Sequence, residues 1–258
     1  MKKINSPKSL VALAMAMAFL SSAHAQNSGP DEATQRLDNI ESTVQALEKQ
    51  VNALSTFLRA VIPSPIERIQ PVEISLSQET TKGSSAATLA IIEFSDFQCP
   101  FCGQHAHTAY PELQRQLIAR GAVQYAFRNL PLQNLHPNAQ KAAEAAQCAA
   151  AQHKFWEMHD RLFDNQQSLG ELKLIEYAKT LDLDFPAFEA CLRDEKTTAK
   201  VSEDFQLAQR LGITGTPTFL IGRVQSSGMV RVTRRITGVQ SIDIFRIAID
   251  ELTSAKRD

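Results

Sequence analysis

The chain has 258 residues, of which 43% are hydrophobic and 21% are charged, and its formal net charge is −1. This near-neutral balance excludes the strongly basic surface with which proteins bind nucleic acid, and the chain carries no acidic tail. The hydrophobic content is sufficient for a packed core, and we expect one domain with appended segments.

Residues 1–25 have the pattern of a secretory signal peptide. The first eight residues include three lysines. An apolar stretch follows over residues 10–20, and after it comes a small-x-small cleavage site that ends at Ala25. The apolar stretch is shorter than the roughly 20 residues that cross a bilayer, so a membrane anchor is the weaker alternative. We expect cleavage after Ala25 and export to an oxidising compartment, where the four cysteines of the chain can form disulfides.

Residues 26–62 are predicted to form a coiled-coil oligomerisation helix. Neither glycine nor proline occurs between Pro30 and Pro63, and apolar residues alternate at spacings of 3 and 4, at Leu37, Ile40, Val44, Leu47, Val51, Leu54, Leu58 and Val61. This spacing is that of a and d positions, whereas a helix packed on its own domain usually has a wider apolar stripe. Valines at a and leucines at d favour a dimer, and a trimer is the alternative.

The segment that follows is predicted to join this helix to a sheet. Residues 63–71 contain three prolines and are expected to be a stiff linker. A short strand is predicted over 72–76, and a near-continuous apolar run predicts a strand over 88–97 that is buried on both faces. The next predicted elements are a helix over 103–121 kinked at Pro111, and a strand over 122–130.

A helical block interrupts the strands. An alanine-rich stretch predicts a helix over 138–163, and two or three more helices extend to about residue 211. Two strands and a closing helix follow, over 217–221, 229–236 and 241–252. This order predicts an α/β sheet fold with an inserted helical subdomain, its parts lying at 72–135, 136–211 for the insertion, and 212–258.

The segment FQCPFCGQHA, residues 97–106, holds Cys99 and Cys102 three positions apart. Cys99 would lie at the start of a helix, where free N–H groups and the helix dipole stabilise a thiolate, and Pro100 loses nothing there by lacking an N–H. We therefore expect Cys99 to attack and Cys102, one turn into the helix, to resolve. Zinc binding is disfavoured without a second CxxC, and a structural bridge within one turn would stabilise little.

The sequence EFSDFQCPFC, with GITGTPTF far downstream, resembles the DsbA-like thioredoxin-fold proteins of the bacterial envelope. The resemblance runs from about Val72 to the C-terminus and includes the helical block. It implies a thioredoxin fold interrupted by a helical subdomain, a periplasmic location, and thiol–disulfide exchange with the cysteines of exported proteins. This reaction needs no cofactor and no metal, but it implies an envelope redox partner, which the sequence does not identify.

The resemblance also implies a client-binding site beside the cysteines. It implies that Pro217 is cis and packs against the cysteine pair, so that an extended client segment can pair with the neighbouring backbone. Thr216, immediately before it, and Pro100 and Phe101, between the cysteines, complete this expected site. On its own, GTPT would predict only an ordinary turn.

Glu93 matches the buried acid that this family has beneath its active site. A carboxyl group there should have a raised pKa and could relay the Cys102 proton; without the resemblance, Glu93 would be interpreted as a polar residue at a strand end. Two departures concern the direction of reaction: the strong oxidases have histidine where Phe101 stands, and threonine at the Thr216 position is typical of the isomerases and reductases. Both favour an isomerase or reductase over a disulfide oxidase.

Two further predictions remain open at this point. Cys148 and Cys191 are expected to form a structural disulfide between two helices, as in some family relatives, and two buried free thiols are the alternative. From a different class of function, the chain could be a non-catalytic coiled-coil envelope chaperone that keeps the fold for client binding.

Overall fold

The computed structural model describes residues 30–61 and 64–254. The chain divides into two compact units, Met1–Ser64 and Pro65–Asp258. The predicted signal peptide, residues 1–25, lies outside the described residues.

The described part of the first unit is one helix, α1, over Pro30–Val61, which confirms the predicted helix. The apolar side chains of its a and d positions are between 46% and 65% exposed, at Leu37, Ile40, Val44, Leu47, Val51 and Leu54. Pairing with a second copy through this stripe stays a prediction. None of the helices that the structure describes is both long and apolar enough to cross a membrane.

The second unit is built on a six-stranded mixed sheet with the strand order β1-β6-β5-β3-β4-β2. The strands are β1 Ile66–Ser75, β2 Thr81–Lys82, β3 Leu89–Ser95, β4 Gln124–Asn129, β5 Thr218–Val224 and β6 Met229–Thr237. Strand β3 is parallel to β4 and antiparallel to β5. Every residue of β3 is buried, as predicted for a strand covered on both faces.

The predicted linker over 63–71 is wrong from Ile66 onward. This segment is the first half of β1, an edge strand that pairs antiparallel with β6 and places Ile66 opposite Ile236. Pro71 is tolerated because the register of the pair shifts between Arg68 and Val72, and a proline at an irregularity of an edge strand removes no necessary ladder hydrogen bond.

Helices cover the sheet and form the insertion. The α-helices are α2 Pro100–His107, α3 Ala109–Leu113, α4 Ala139–Ala150, α5 Phe155–Asp164, α6 Glu171–Thr180, α7 Phe185–Arg193, α8 Glu195–Arg210 and α9 Ile242–Ser254. A π-helix over Gln114–Ile118 continues α3, and a short 3-10 helix lies at Gln78–Thr80. The single helix predicted over 138–163 is wrong, because His153 has a φ of 59° and an α-helix cannot continue through that conformation. The helix predicted over 103–121 with a kink at Pro111 breaks instead at Thr108, between α2 and α3. Pro111 lies in the first turn of α3, where its missing N–H is not needed.

Three buried clusters hold these layers together. Ile91 on one face of β3 packs with α3 and α9, including Phe245, whereas Ile92 on the other face packs with Ala208 of α8. The third cluster joins the helical insertion to the cysteine pair, through Phe97, Cys99, Cys102, Phe127, Phe155 and Phe188 among others. The architecture is therefore the predicted α/β fold with a helical subdomain inserted between β4 and β5, and the cysteines lie where the two parts meet.

Candidate active site

Cys99 and Cys102 lie at the start of α2, immediately after the loop that follows β3. Cys99 is the N-cap residue, with φ −71° and ψ 123°, and Pro100 is the first helical residue. Both thiols are free, and Cys99 is 4% exposed while Cys102 is fully buried. The backbone N–H of Asp96 donates a hydrogen bond to Cys102 Sγ over 3.5 Å.

The two thiols have opposite acid strengths. The pKa of Cys99 is lowered from 9.0 to about 5, first by a hydrogen bond from the Cys102 thiol and further by the Thr216 hydroxyl and the N–H groups of Phe101 and Cys102, against the effect of burial. Burial, followed by the neighbouring Cys99, raises the pKa of Cys102 well above 9.0. Near neutral pH the pair therefore holds a thiolate at Cys99 and a protonated thiol at Cys102.

A cis peptide bond joins Thr216 to Pro217 and brings a distant segment to the cysteines. The Thr216 carbonyl oxygen lies 3.7 Å from Cys99 Sγ and accepts a hydrogen bond from it when the thiol is protonated. Phe101 is 62% exposed, so the CxxC pair carries an apolar ring at the surface.

Glu93 is buried on β3, and burial raises the pKa of its carboxyl group from 4.5 to about 7. The Tyr125 hydroxyl donates a hydrogen bond to Glu93 Oε2 over 2.6 Å and partly offsets this rise. A negative charge on Glu93 would raise the pKa of Cys102 further. Glu93 is therefore a group beneath the cysteines that can change its protonation state near neutral pH.

Sequence reasoning missed two residues that shape this site. Tyr125, the partner of Glu93, is also within 3.2 Å of His105 Nε2 through its hydroxyl. Asp96 fixes the loop before Cys99: its Oδ1 accepts from the Gln98 N–H over 2.7 Å. Asp96 Oδ2 accepts from the backbone N–H of Leu132 and from Nδ1 of His136, both over 2.8 Å. The position of Asp96 three residues before Cys99 was the one available sequence signal.

Cys148 of α4 and Cys191 of α7 form a disulfide, with their Cα atoms 5.7 Å apart. The Thr197 side chain lies beside it, its Oγ1 3.3 Å from Cys191 Sγ. Two helices of the insertion are thus cross-linked. Among residues 30–61 and 64–254, no group of three or more His, Cys, Asp or Glu side chains is arranged to hold a metal ion.

The fold and the site together define a class of protein. A CxxC pair at a helix N-terminus, facing a cis-proline beside a mixed sheet, is the arrangement of the thioredoxin-fold redox proteins. A sequence model described as Thioredoxin matches residues 75–234, and the chain belongs to this family. The DsbA-like resemblance expected from the two motifs is confirmed by the solved structures that the chain matches.

Two of these solved structures are of bacterial DsbA proteins. Wolbachia pipientis α-DsbA1 is 25% identical, with a TM-score of 0.58, covering 69% of this chain and 92% of that one. Pseudomonas aeruginosa DsbA2 is 25% identical, with a TM-score of 0.55, covering 74% of this chain and 100% of that one. The family and these neighbours support a thiol–disulfide oxidoreductase role.

Much longer proteins also match part of the chain. The Na(+)/H(+) antiporter NhaA 3 of Salinispora tropica is 36% identical over 170 residues, which make up 66% of this chain and 26% of that protein. The NhaA 1 antiporter of Salinispora arenicola is 35% identical over the same shares. The chain thus spans about a quarter of the length of the curated relatives it matches.

Proposed function

We propose that the protein is a periplasmic thiol–disulfide oxidoreductase that exchanges disulfides with cysteines of exported proteins through a mixed disulfide at Cys99. The observation that carries this proposal is the geometry of the pair: Cys99 is the N-cap of α2 beside the cis bond of Pro217, and Cys102 is fully buried. This geometry lowers the pKa of Cys99 to about 5 and raises that of Cys102. A thiolate is the nucleophile in disulfide exchange, and a thiol of low pKa is also the better leaving group.

In the reducing direction, the Cys99 thiolate attacks one sulfur of a client disulfide. A bond forms between Cys99 Sγ and that sulfur, the client S–S bond breaks, and the other client sulfur leaves with the electron pair and takes a proton. Cys102 then loses its proton and attacks Cys99 Sγ, which releases the second client thiolate and leaves the Cys99–Cys102 disulfide. Two electrons pass from the cysteine pair to the client, and the reverse sequence oxidises a client dithiol.

Glu93 is proposed to accept the Cys102 proton in the second step. Its carboxyl group has a pKa of about 7, so at neutral pH a large share is ionised and can take a proton, and the protonated form can return one in the reverse reaction. Tyr125 holds the carboxyl group through the 2.6 Å hydrogen bond.

Client binding is assigned to the surface around Cys99. The backbone beside Pro217 would pair with an extended client segment, and the exposed ring of Phe101 would contact an apolar client side chain. Pro100 and Thr216 border the same sulfur. Clients are thus recognised mainly through backbone hydrogen bonds and apolar contact, which suits a broad range of partly unfolded proteins.

The direction is proposed to be isomerase or reductase, with a DsbA-type disulfide oxidase as the alternative. Phe101 offers no imidazole to stabilise the Cys99 thiolate. The pKa of Cys99, about 5, lies between the values for the attacking cysteine of the strong oxidant DsbA, about 3.5, and of thioredoxin, about 7. An envelope redox partner must restore the pair after net turnover. Equilibration with glutathione buffers would measure the reduction potential of the pair and so distinguish the two alternatives.

A non-catalytic chaperone is the second candidate, favoured only by the exposed apolar stripe of α1. The test is reduction of insulin by dithiothreitol in the presence of the purified protein. The oxidoreductase accelerates the reduction at substoichiometric concentration. A chaperone would instead delay the precipitation of the freed chains and would leave the reduction rate unchanged.

Self-association through α1 is proposed as the quaternary arrangement, as a parallel dimer with a trimer as the alternative. Its support is the unbroken alternation of a and d positions, whose described side chains remain at least 46% exposed in a single copy. Tethering two catalytic units raises the local concentration of Cys99 around a bound client. Isomerisation needs this more than simple oxidation does, because a misbonded client must be held through several exchanges.

Deletion of residues 26–62 from the exported chain is expected to give a monomer by light scattering. The monomer should refold scrambled ribonuclease several-fold more slowly and should oxidise a reduced peptide as well as the full chain does. Leu47→Lys at a d position should weaken the dimer, and Ala46→Lys, at the adjacent c position, is the matched control that should not. A monomeric full-length protein, or equal isomerase activity with and without the helix, contradicts the proposal.

A further inference from the structure

One side chain of the helical insertion reaches the backbone on both sides of Cys99. Gln166 lies in the loop after α5, and its Nε2 donates hydrogen bonds to the carbonyl oxygens of Phe97, over 2.9 Å, and Cys99, over 2.8 Å. The CxxC motif gives no sign of this contact, since 67 residues separate Gln166 from Cys99. The insertion also contacts the redox centre through apolar packing and through the hydrogen bonds of Leu132 and His136 to Asp96.

The Cys99 carbonyl is an unusual point of attachment. The peptide unit between Cys99 and Pro100 has no N–H, so its oxygen is the only atom through which a hydrogen bond can fix it. That oxygen accepts two hydrogen bonds, one from the N–H of Gly103 over 3.1 Å and one from the Gln166 amide over 2.8 Å. The orientation of this peptide sets where Cys99 Sγ lies relative to the N–H groups that stabilise its thiolate.

Gly103 makes the room for this contact. It lies inside α2, where alanine would favour the helix more than glycine does. A Cβ atom at this position would collide with the side-chain amide of Gln166. The presence of glycine is therefore explained by the space that the Gln166 amide occupies against the helix.

We infer that Gln166 is a positioning residue of the redox centre, which holds the Cys99 backbone in the geometry that favours the dithiol form over the disulfide. The inference rests on the proposed redox function of Cys99. Without the two hydrogen bonds the Cys99–Pro100 peptide is freer to rotate. The N–H groups of Phe101 and Cys102 are then less well aligned to donate hydrogen bonds to Cys99 Sγ. The reduced form then loses stability relative to the disulfide, because only the reduced form carries the thiolate.

The test uses Gln166→Ala and Gln166→Glu in the full exported chain. The glutamate keeps the size of the side chain, but its carboxylate cannot donate to either carbonyl at neutral pH. For both variants we expect the thiolate pKa of Cys99 to rise by about 0.5 to 1 unit. The ratio of disulfide to dithiol in a glutathione buffer should rise about 3- to 10-fold, since one pKa unit corresponds to a tenfold change in equilibrium.

Gln152→Ala is the matched control. Gln152 also bridges backbone groups with its amide, accepting from the Asp184 N–H over 2.7 Å and donating to the Asp184 carbonyl over 3.2 Å, within the insertion and without contact to Cys99. Its replacement should lower the melting temperature about as much as Gln166→Ala, with an unchanged thiolate pKa and glutathione equilibrium. A merely structural role for Gln166 predicts the same result for both residues.

Gly103→Ala provides an independent approach to the same contact, because the added methyl group displaces the Gln166 amide. It should shift the glutathione equilibrium in the same direction, and the double variant should shift it no further than one replacement alone. Folded Gln166 variants with a wild-type thiolate pKa and wild-type glutathione equilibrium would overturn the inference. A wild-type pair that does not exchange with glutathione would instead overturn the proposed function itself.

Discussion

Replacement of Cys99 by alanine is expected to reduce catalysed insulin reduction to the uncatalysed background, a loss on the order of a hundredfold or more. Cys99 supplies the thiolate, its pKa being about 5, and Cys102 cannot replace it because burial keeps that thiol protonated. Cys102→Ala should behave differently. It retains the attacking sulfur but not the resolving one, so turnover should stop after the first step.

The two variants therefore serve as controls for each other. Cys102→Ala, incubated with oxidised client proteins, should accumulate covalent mixed disulfides that reductant releases and that peptide mapping places on Cys99. Cys99→Ala should accumulate none. Residual turnover in Cys99→Ala, or a mixed disulfide on Cys102 in that variant, would contradict the assigned roles.

Removal of the second disulfide is expected to have the largest effect on stability. It closes a loop of 43 residues between α4 and α7, and loop-closure entropy predicts a loss of about 4 kcal/mol in the free energy of unfolding for Cys148→Ala combined with Cys191→Ala. For a chain of this size, that corresponds to a melting temperature lower by about 10 °C. Denaturant unfolding under oxidising conditions measures it.

Reductant supplies the control for this experiment. Wild-type protein with the Cys148–Cys191 disulfide reduced should lose nearly the same stability, while the double variant, which keeps only the Cys99–Cys102 pair, should lose no stability on reduction. The variant should keep its insulin-reducing activity, since Cys99 and Cys102 are intact. A loss of less than about 1 kcal/mol in the free energy of unfolding would mean that the disulfide restricts the unfolded chain less than its loop length predicts.

The local chemistry of the site could be predicted from sequence because it depends on neighbours in the chain. The order of the two thiols follows from the position of Cys99 before a helix, which Pro100 indicates. The cis bond at Pro217 came from family resemblance alone, because GTPT by itself predicts an ordinary turn. Tyr125 could not be assigned to Glu93, since their contact depends on the register of two strands, in which Tyr125 lies opposite Ile91.

The errors in the predicted fold have similar causes. Prolines in 63–71 are compatible with a linker and with an irregular edge strand, and only the pairing with β6 distinguishes them. The break between α4 and α5 lies at His153, a residue type with no strong tendency to end a helix, within a stretch whose apolar pattern continues on both sides. Gln166 is a loop residue that acts through its contacts with a distant backbone, and no motif marks it.

The rate of alkylation of the reduced protein as a function of pH tests the central claim most directly, with peptide mapping to assign the modified thiol. Cys99 should react first, and its rate should rise with the thiolate fraction to a midpoint near pH 5, where its pKa lies. Cys102 should stay unmodified until the protein unfolds. Prior reaction of Cys102, or a Cys99 midpoint near the value of about 8.5 for free cysteine, would contradict the account.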